Sequence, residues 1–325
     1  MKANSQGAVL AALAGNVAIA AIKFMVAGIS GSAAMWAEGI HSLVDTGNQA
    51  LMLIGMRRSK QPPDVRHPFG HGKELYFWNL MVAVLIFGVG GGISAYEGLL
   101  RMISPRPVEQ TFWNYVVLSA AFLIEGASFT VAFRAFTAQH GAADILGDIV
   151  ASKDPTTYTV LAEDGAALVG LLIAAGGIFL SHALRFPSLD GLASILIGLL
   201  LATVASFLIR ECRGLLVGEG VDAATEREIR KMVSEDPLVE SVRRPLTMYL
   251  GPNNALLTLD VQFRSSASVS DVARSIDRLK FAIRNTFPDL KRIYVEAETA
   301  SVPTADAQGA KPRKHQLAAR KRSRA

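Results

Sequence analysis

Residues 32–55 read SAAMWAEGIHSLVDTGNQALMLIG, and the reading of this stretch decides the fold. At about 1.5 Å of rise per helical residue, it is long enough to cross a hydrocarbon core of about 30 Å. Its interior nevertheless carries Glu38, His41 and Asp45. Ionisable groups at that depth are costly and mark candidate functional sites. His41 and Asp45 stand four residues apart, so they share one helix face. An imidazole and a carboxylate at that spacing suit a first-row divalent cation, zinc above all. They equally suit a structural role, a neutral histidine hydrogen-bonded to a carboxylate that ties helices together. Glu38, one turn further out, belongs either to the same face or to the outer mouth.

Five further stretches have comparable length and apolarity: about 7–30, 75–103, 111–137, 157–181 and 188–210. Short polar joints separate them, which predicts an α-helical membrane protein with six transmembrane helices. The first stretch is too long for a cleaved signal peptide and runs through Gly31 straight into the second. Lys and Arg orient the bundle. With the N-terminus inside, the inner joints hold eight basic residues (Lys2, Arg57, Arg58, Lys60, Arg66, Lys73, Arg134, Lys153) and the outer joints three (Arg101, Arg106, Arg185). Both termini are therefore expected on the cytosolic side of a multi-pass protein of the inner (plasma) membrane.

Beyond residue 213 the pattern changes. Residues 222–236 and 269–287 have amphipathic helical periodicity, the second with Val272, Ile276, Leu279 and Ile283 on one face. Residues 239–250, 255–264 and 291–298 read as strands. The order αββαβ predicts a small cytosolic α+β domain over 214–300, helices on one face of an antiparallel sheet. Residues 301–325 lack periodicity and are expected to be a disordered basic tail.

That division resolves a conflict in the composition. Half of the residues are hydrophobic and the mean hydropathy is +0.31, yet the pI is near 9.4 and the net charge +5. The tail holds seven of the 33 Lys+Arg and a single acid, leaving the body at 26 basic against 27 acidic residues. The basicity belongs to the tail, whose charges lack aromatic interleaving, so nucleic acid is not the expected partner and anionic membrane lipid is the simpler one. A single cysteine, Cys212, excludes an intramolecular disulfide and a Cys-based zinc site.

The fifth span carries Glu163 and Asp164, and the fourth carries Glu125 near its middle. Adjacent residues point about 100° apart on a helix, so one of Glu163 and Asp164 faces any given site. Lys23 in the first span is expected to snorkel or to pair with an inner carboxylate. The joint after the second span, QPPDVRHPFGHGKELY, places Asp64, His67 and His71 within eight residues. Those three suit one metal ion, or a merely solvated polar loop.

GISGSAAMWAEGIHSLVDTGNQ (28–49) resembles the signature of the cation diffusion facilitator family, a small-residue turn followed by H/D-S-x-x-D. HPFGHGKE (67–74) resembles the opening of that family's third span. DPTTYTVLAEDGAALVG (154–170) and IEGASF (124–129) resemble the divergent branch that includes the mitochondrial zinc transporter of animals. The resemblance covers about residues 7–300. It implies six spans, cytosolic termini, a ferredoxin-like C-terminal domain, and a homodimer that exchanges Zn2+, sometimes Fe2+ or Mn2+, for H+. It also implies a transport site of two residues from the second span and two from the fifth, usually H-x-x-x-D. Here these are His41, Asp45 and Asp164, with Val160 where the fourth ligand would stand. Glu163 or Glu125 is expected to complete the set or to relay protons. The family's inner-loop site matches Asp64, His67 and His71 in full. Its third site depends on histidines, and residues 214–300 contain none; Asp260, Glu296 and Glu298 stand nearby. No nucleophile motif supports an intramembrane enzyme, so the expectation is no enzyme. A non-transporting membrane metal sensor or assembly factor is the alternative, because of Val160.

Overall fold

The computed structural model describes residues 3–108, 111–140, 153 and 155–298; the expected basic tail over 301–325 lies outside the described residues. The chain forms two compact units, the first built on the helices up to Asp222 and the second holding two further helices and most of a small sheet.

The first unit begins with α1 (Ala3–Ser30) and α2 (Ala33–Ser59). They are joined by a tight turn at Gly31, whose φ of 67° is the left-handed conformation glycine tolerates. Ser32 caps α2, its Oγ accepting from Met35 N. The buried Asp190 carboxylate adds to this cap. It accepts from Ser32 Oγ at 2.5 Å, Ala33 N at 2.5 Å and Ala34 N at 3.4 Å, placing a negative charge where a helix N-terminus favours one. Arg101 donates to the Gly31 carbonyl in the same turn.

Next, α3 (Glu74–Leu85) passes through a π-helical segment, Ile86–Ile93, into α4 (Ser94–Ile103). Then come α5 (Thr111–His140), α6 (Pro155–Ala183) and α7 (Ser188–Val217). The π segment and α4 lie against α7 with almost no space between backbones. A Cβ on Gly98 would come within 2.6 Å of Gly191 O, and one on Gly198 within 2.7 Å of Gly91 O. Small residues at such crossings let helices associate by close packing where lipid supplies no hydrophobic drive. The shared core includes Met35, Val44, Val82, Ile178, Ile197 and Leu201. Cys212 is fully buried beside the Tyr158 hydroxyl, 3.7 Å away, which is a packing position.

Among the described residues, four helices are long and apolar enough to cross a membrane: 74–103, 111–138, 158–183 and 188–217. They correspond to the last four expected spans. The described apolar part of α1, Asn16–Ser30, is shorter. α2 is long enough, but its interior acids, Asn48, Arg57 and Arg58 lower its apolarity. Large side chains such as Met25, Leu123, Val131, Leu172 and Leu199 are exposed on the bundle surface, as a lipid-facing surface requires.

The second unit contains α8 (Ala223–Ser234) and α9 (Val269–Thr286), the latter opened by a reciprocal Ser268–Asp271 capping box. The strands are β1 (Val239–Val242), β2 (Leu246–Gly251), β3 (Asn254–Phe263) and β4 (Leu290–Glu298). The expected single strand over 239–250 is thus two strands, and the element order is αβββαβ rather than αββαβ. Arg243, Arg244 and Pro245 interrupt it, since proline has no N–H for a ladder and restricts the residue before it. β3 is central and pairs with β1, β2 and β4; β1 runs antiparallel to it with Val239 opposite Phe263 and Val242 opposite Val261. Burial alternates along β3, with Ala255, Leu257, Leu259, Val261 and Phe263 inward. Ile229 and Val233 of α8 and Leu279 and Ile283 of α9, each pair four apart, supply the helical side of the core.

Candidate metal centre

One face of α2 is polar from end to end of its middle turns. Glu38, His41, Asp45 and Asn48 fall within a narrow arc, because steps of three and four residues return to the same side of a helix. Glu38, His41 and Asn48 are buried, and the Asp45 side chain is 17 % exposed. His41 Nε2 stands 3.4 Å from Asp45 Oδ2. Four atoms of this row have no hydrogen-bond partner: Glu38 Oε1, His41 Nε2, Asp45 Oδ1 and Asn48 Oδ1. Native interiors rarely leave buried polar atoms unsatisfied. His41 Nε2, Asp45 Oδ1 and Asn48 Oδ1, one nitrogen and two oxygens, are donor types that suit a cation, whereas Glu38 Oε1 lies against Gly170 of α6.

Acids from two other helices act on this row. Glu125 of α5 and Asp164 of α6 are within electrostatic range of His41, and Glu125 also of Asp45. The two α6 acids are held by side chains on other helices. Ser128 Oγ of α5 donates to Asp164 Oδ2 at 2.8 Å. Asn48 Nδ2 of α2 donates to Glu163 Oε1 at 2.9 Å. His41, Asp45 and Asp164 do not close on one another as a ligand triad: among the described residues, only Asp64, His67 and His71 form a group of three whose donor atoms all lie within 4.8 Å. Val160, one turn before Asp164, packs against the apolar core.

The loop group is built by a turn. Asp64 Oδ1 accepts from Arg66 N at 2.8 Å and His67 N at 2.6 Å. The backbone bond from His67 is the main reason the Asp64 carboxyl lies below the usual carboxylate range. His67 Nδ1 is 3.1 Å from Asp64 Oδ1, and His71 Nε2 is 3.4 Å from Asp64 Oδ2. The two imidazole rings are 4.3 Å apart. His71 Nδ1 lies 3.2 Å from the Pro62 carbonyl. The tautomer that donates from Nδ1 to this carbonyl leaves Nε2, on the side of Asp64, as the nitrogen able to ligate an ion, the arrangement by which outer partners orient metal-ligating histidines. Proline and glycine at positions 62, 63, 68, 70 and 72 bend the loop tightly enough to converge three side chains from eight residues.

Lys23 does not snorkel. Its side chain is wholly buried, with Nζ 3.1 Å from Glu38 Oε2 and 2.7 Å from Ser42 Oγ. Glu38 therefore belongs to the interior row rather than to an outer mouth. Sequence reasoning missed Asn48, Ser128 and Ser42. A signal existed for each: Asn48 sits three after Asp45, Ser128 three after Glu125, and Ser42 four after Glu38.

The cation efflux transmembrane domain family matches residues 9–217 of the chain. Metal tolerance protein C4 of Arabidopsis thaliana is 34 % identical over 86 % of this chain and 62 % of its own length. The protein named proton-coupled zinc antiporter SLC30A9, mitochondrial, of Homo sapiens is 33 % identical over 74 % of this chain and 43 % of its own length. Manganese efflux system protein MneP of Bacillus subtilis is 25 % identical over 90 % of this chain and 95 % of its own length. The chain thus spans roughly half the length of the two more similar relatives.

Proposed function

The chain belongs to the cation efflux family, whose members are metal transporters rather than enzymes, and from that premise we propose that it is a proton-coupled divalent-cation antiporter with zinc as its leading cargo. The observation that carries this reading is the buried row on α2, where His41 Nε2, Asp45 Oδ1 and Asn48 Oδ1 stand without hydrogen-bond partners. His41 and Asp45 would bind the ion, Asp164 would join them, and Glu163 and Glu125 would complete the set or carry protons.

Zinc needs neutral imidazole and ionised carboxylate, so metal and protons compete for the same lone pairs. Alternating exposure of the row to the two sides of the membrane then exchanges one for the other, and an inward-directed proton gradient drives metal out of the cytosol. His41 adds a nitrogen to an oxygen set, which favours zinc over manganese. Val160 in place of a second histidine is what favours Fe2+ or Mn2+. Asp64, His67 and His71 form an inner-loop site that collects the ion on the cytosolic side. α1 and α2 serve as the first two of six spans, both termini lie on the cytosolic side of the plasma membrane, and the ferredoxin-like C-terminal domain over 214–300 supports a homodimer. The basic tail meets anionic lipid.

Reconstituted protein in zinc-loaded vesicles tests this. Zinc flux is expected to follow an imposed pH gradient, and Asp45→Ala or Asp164→Ala is expected to remove it. Flux indifferent to the gradient overturns the coupling, and either variant transporting at the normal rate overturns the site. The second reading, a membrane metal sensor, is favoured by the hold of Ser128 and Asn48 on the α6 acids. Stoichiometric zinc binding without flux would establish it.

A further inference from the structure

A lysine fully buried among metal-binding groups needs its own explanation. The Lys23 ammonium has no exposed surface, and neither has its partner Glu38. Lys23 engages one oxygen of Glu38 and the hydroxyl of Ser42. The other oxygen, Glu38 Oε1, has no partner. It points into a notch at Gly170 of α6, where a Cβ would come within 2.8 Å of it. Glu38 is one turn from His41 on the same face, a separation of about 5–6 Å between Cβ atoms. The charges of Lys23 and Glu38 both act on His41 and Asp45, with opposite sign. The pair thus places a carboxylate at the edge of the α2 row while adding no net charge to it.

We propose that Lys23 is a resident counter-cation that keeps Glu38 out of the metal's coordination set and so sets selectivity against oxygen-preferring divalent cations such as Mn2+. The inference rests on the metal-site reading of His41 and Asp45. While the ammonium holds Oε2, a second cation next to Glu38 meets a like charge. The ion is left with a set in which the His41 nitrogen counts heavily, which suits zinc. Without the ammonium, Glu38 offers two free carboxylate oxygens one turn from His41. The set becomes richer in hard oxygen donors, and Mn2+ gains relative to Zn2+. Lys23 acts here through Glu38, as a positioning residue. Ser42 assists by fixing the ammonium, and Gly170 by leaving room for the carboxylate.

The experiment uses the full chain in vesicles and measures binding and uptake of Zn2+ and of Mn2+, each alone and in competition. Lys23→Met is expected to raise the Mn2+ to Zn2+ ratio by about tenfold. Lys23→Arg, which keeps the ion pair, is expected to leave the ratio unchanged. Lys23→Met/Glu38→Gln, which removes the liberated carboxylate as well, is expected to bring it back. Lys23→Gln keeps a hydrogen-bond donor beside Glu38 while removing the charge, so it answers the question if Lys23→Met does not fold. An unchanged ratio in folded Lys23→Met or Lys23→Gln overturns the proposal. So does a raised ratio that survives Glu38→Gln, since Glu38 is then not the added ligand. Asp45→Ala separates the two readings. If it leaves zinc uptake intact, the metal-site reading itself fails; if it abolishes uptake while the Lys23 variants do not alter the ratio, only the counter-cation inference fails.

Discussion

Asp190 is expected to be one of the most destabilising positions to truncate in the helical unit. Its carboxylate is fully buried in the first turn of α7 and accepts two bonds of 2.5 Å, from Ser32 Oγ and Ala33 N, and a third of 3.4 Å from Ala34 N. Bonds to a charged group contribute about 1.5–3 kcal/mol each, and stranded buried donors cost a similar amount. Asp190→Ala therefore costs about 3–6 kcal/mol, counting the two short bonds and leaving the long one aside. Asp190→Asn keeps one oxygen acceptor but loses the charge, and costs about half as much. At roughly 2–4 °C per kcal/mol for larger domains, the alanine variant melts about 10 °C lower and the asparagine variant about 5 °C lower. The assay is thermal unfolding of detergent-purified protein, followed by intrinsic fluorescence, with hydrogen exchange as a second readout. Exchange should accelerate first at the amides of Ala33 and Ala34. Glu235→Ala is the control, because its ion pair with Lys231 is exposed on both sides and such pairs contribute little. An Asp190→Ala protein that melts within about 2 °C of the natural one would refute the reasoning. So would one whose exchange rises everywhere except at the start of α2.

The close crossing of α4 on α7 makes Gly98→Ala costly, by about 1–3 kcal/mol, because the new methyl meets Gly191 O; a melting curve superimposable on the natural one would contradict the crossing. His71→Ala is expected to weaken zinc binding by the loop about 10–100-fold or more, read by calorimetry in protein whose α2 site is disabled by Asp45→Ala. Unchanged loop affinity would dismiss Asp64, His67 and His71 as a site. The pH dependence of the same loop follows from the depressed Asp64 carboxyl. Its folded value lies below the unfolded one of about 3.9, so the turn's contribution is fully present above that pH and is lost as pH falls through the lower folded value. An NMR titration of Asp64 with a midpoint at or above the unfolded value would refute the turn.

The candidate site was legible where its residues are close in sequence. His41 and Asp45 share a face because helical periodicity fixes it, and the structure places them 3.4 Å apart. Asp64, His67 and His71 converge because eight residues of a Pro/Gly-rich turn cannot spread far. Partners from distant helices were not legible. For Lys23 the sequence left two roles open, snorkelling or pairing with a carboxylate, and it pairs with Glu38 because the turn at Gly31 folds α1 back along α2. Asn48 and Ser128 bind the α6 acids across helix contacts that no local pattern encodes. The strand over 239–250 was misread as one because β-prone apolar residues, Val239 and Val242 before Pro245 and Leu246, Tyr249 and Leu250 after it, stand on both sides of the stop.

By itself, then, the amino-acid sequence determined the helical membrane class, the small α+β unit, the polar face of α2 and the metal-type loop. Each follows from the 3.6- and 2-residue periods of the backbone or from the short reach of a turn. Tertiary structure alone decided which charges meet. Ser32 and Asp190 are 158 residues apart in the chain, and Asn48 and Glu163 are 115 apart. Such pairings depend on the rotation and offset of whole helices. Those are set by where side chains and glycines let backbones approach, which is a property of the packed bundle rather than of any one segment.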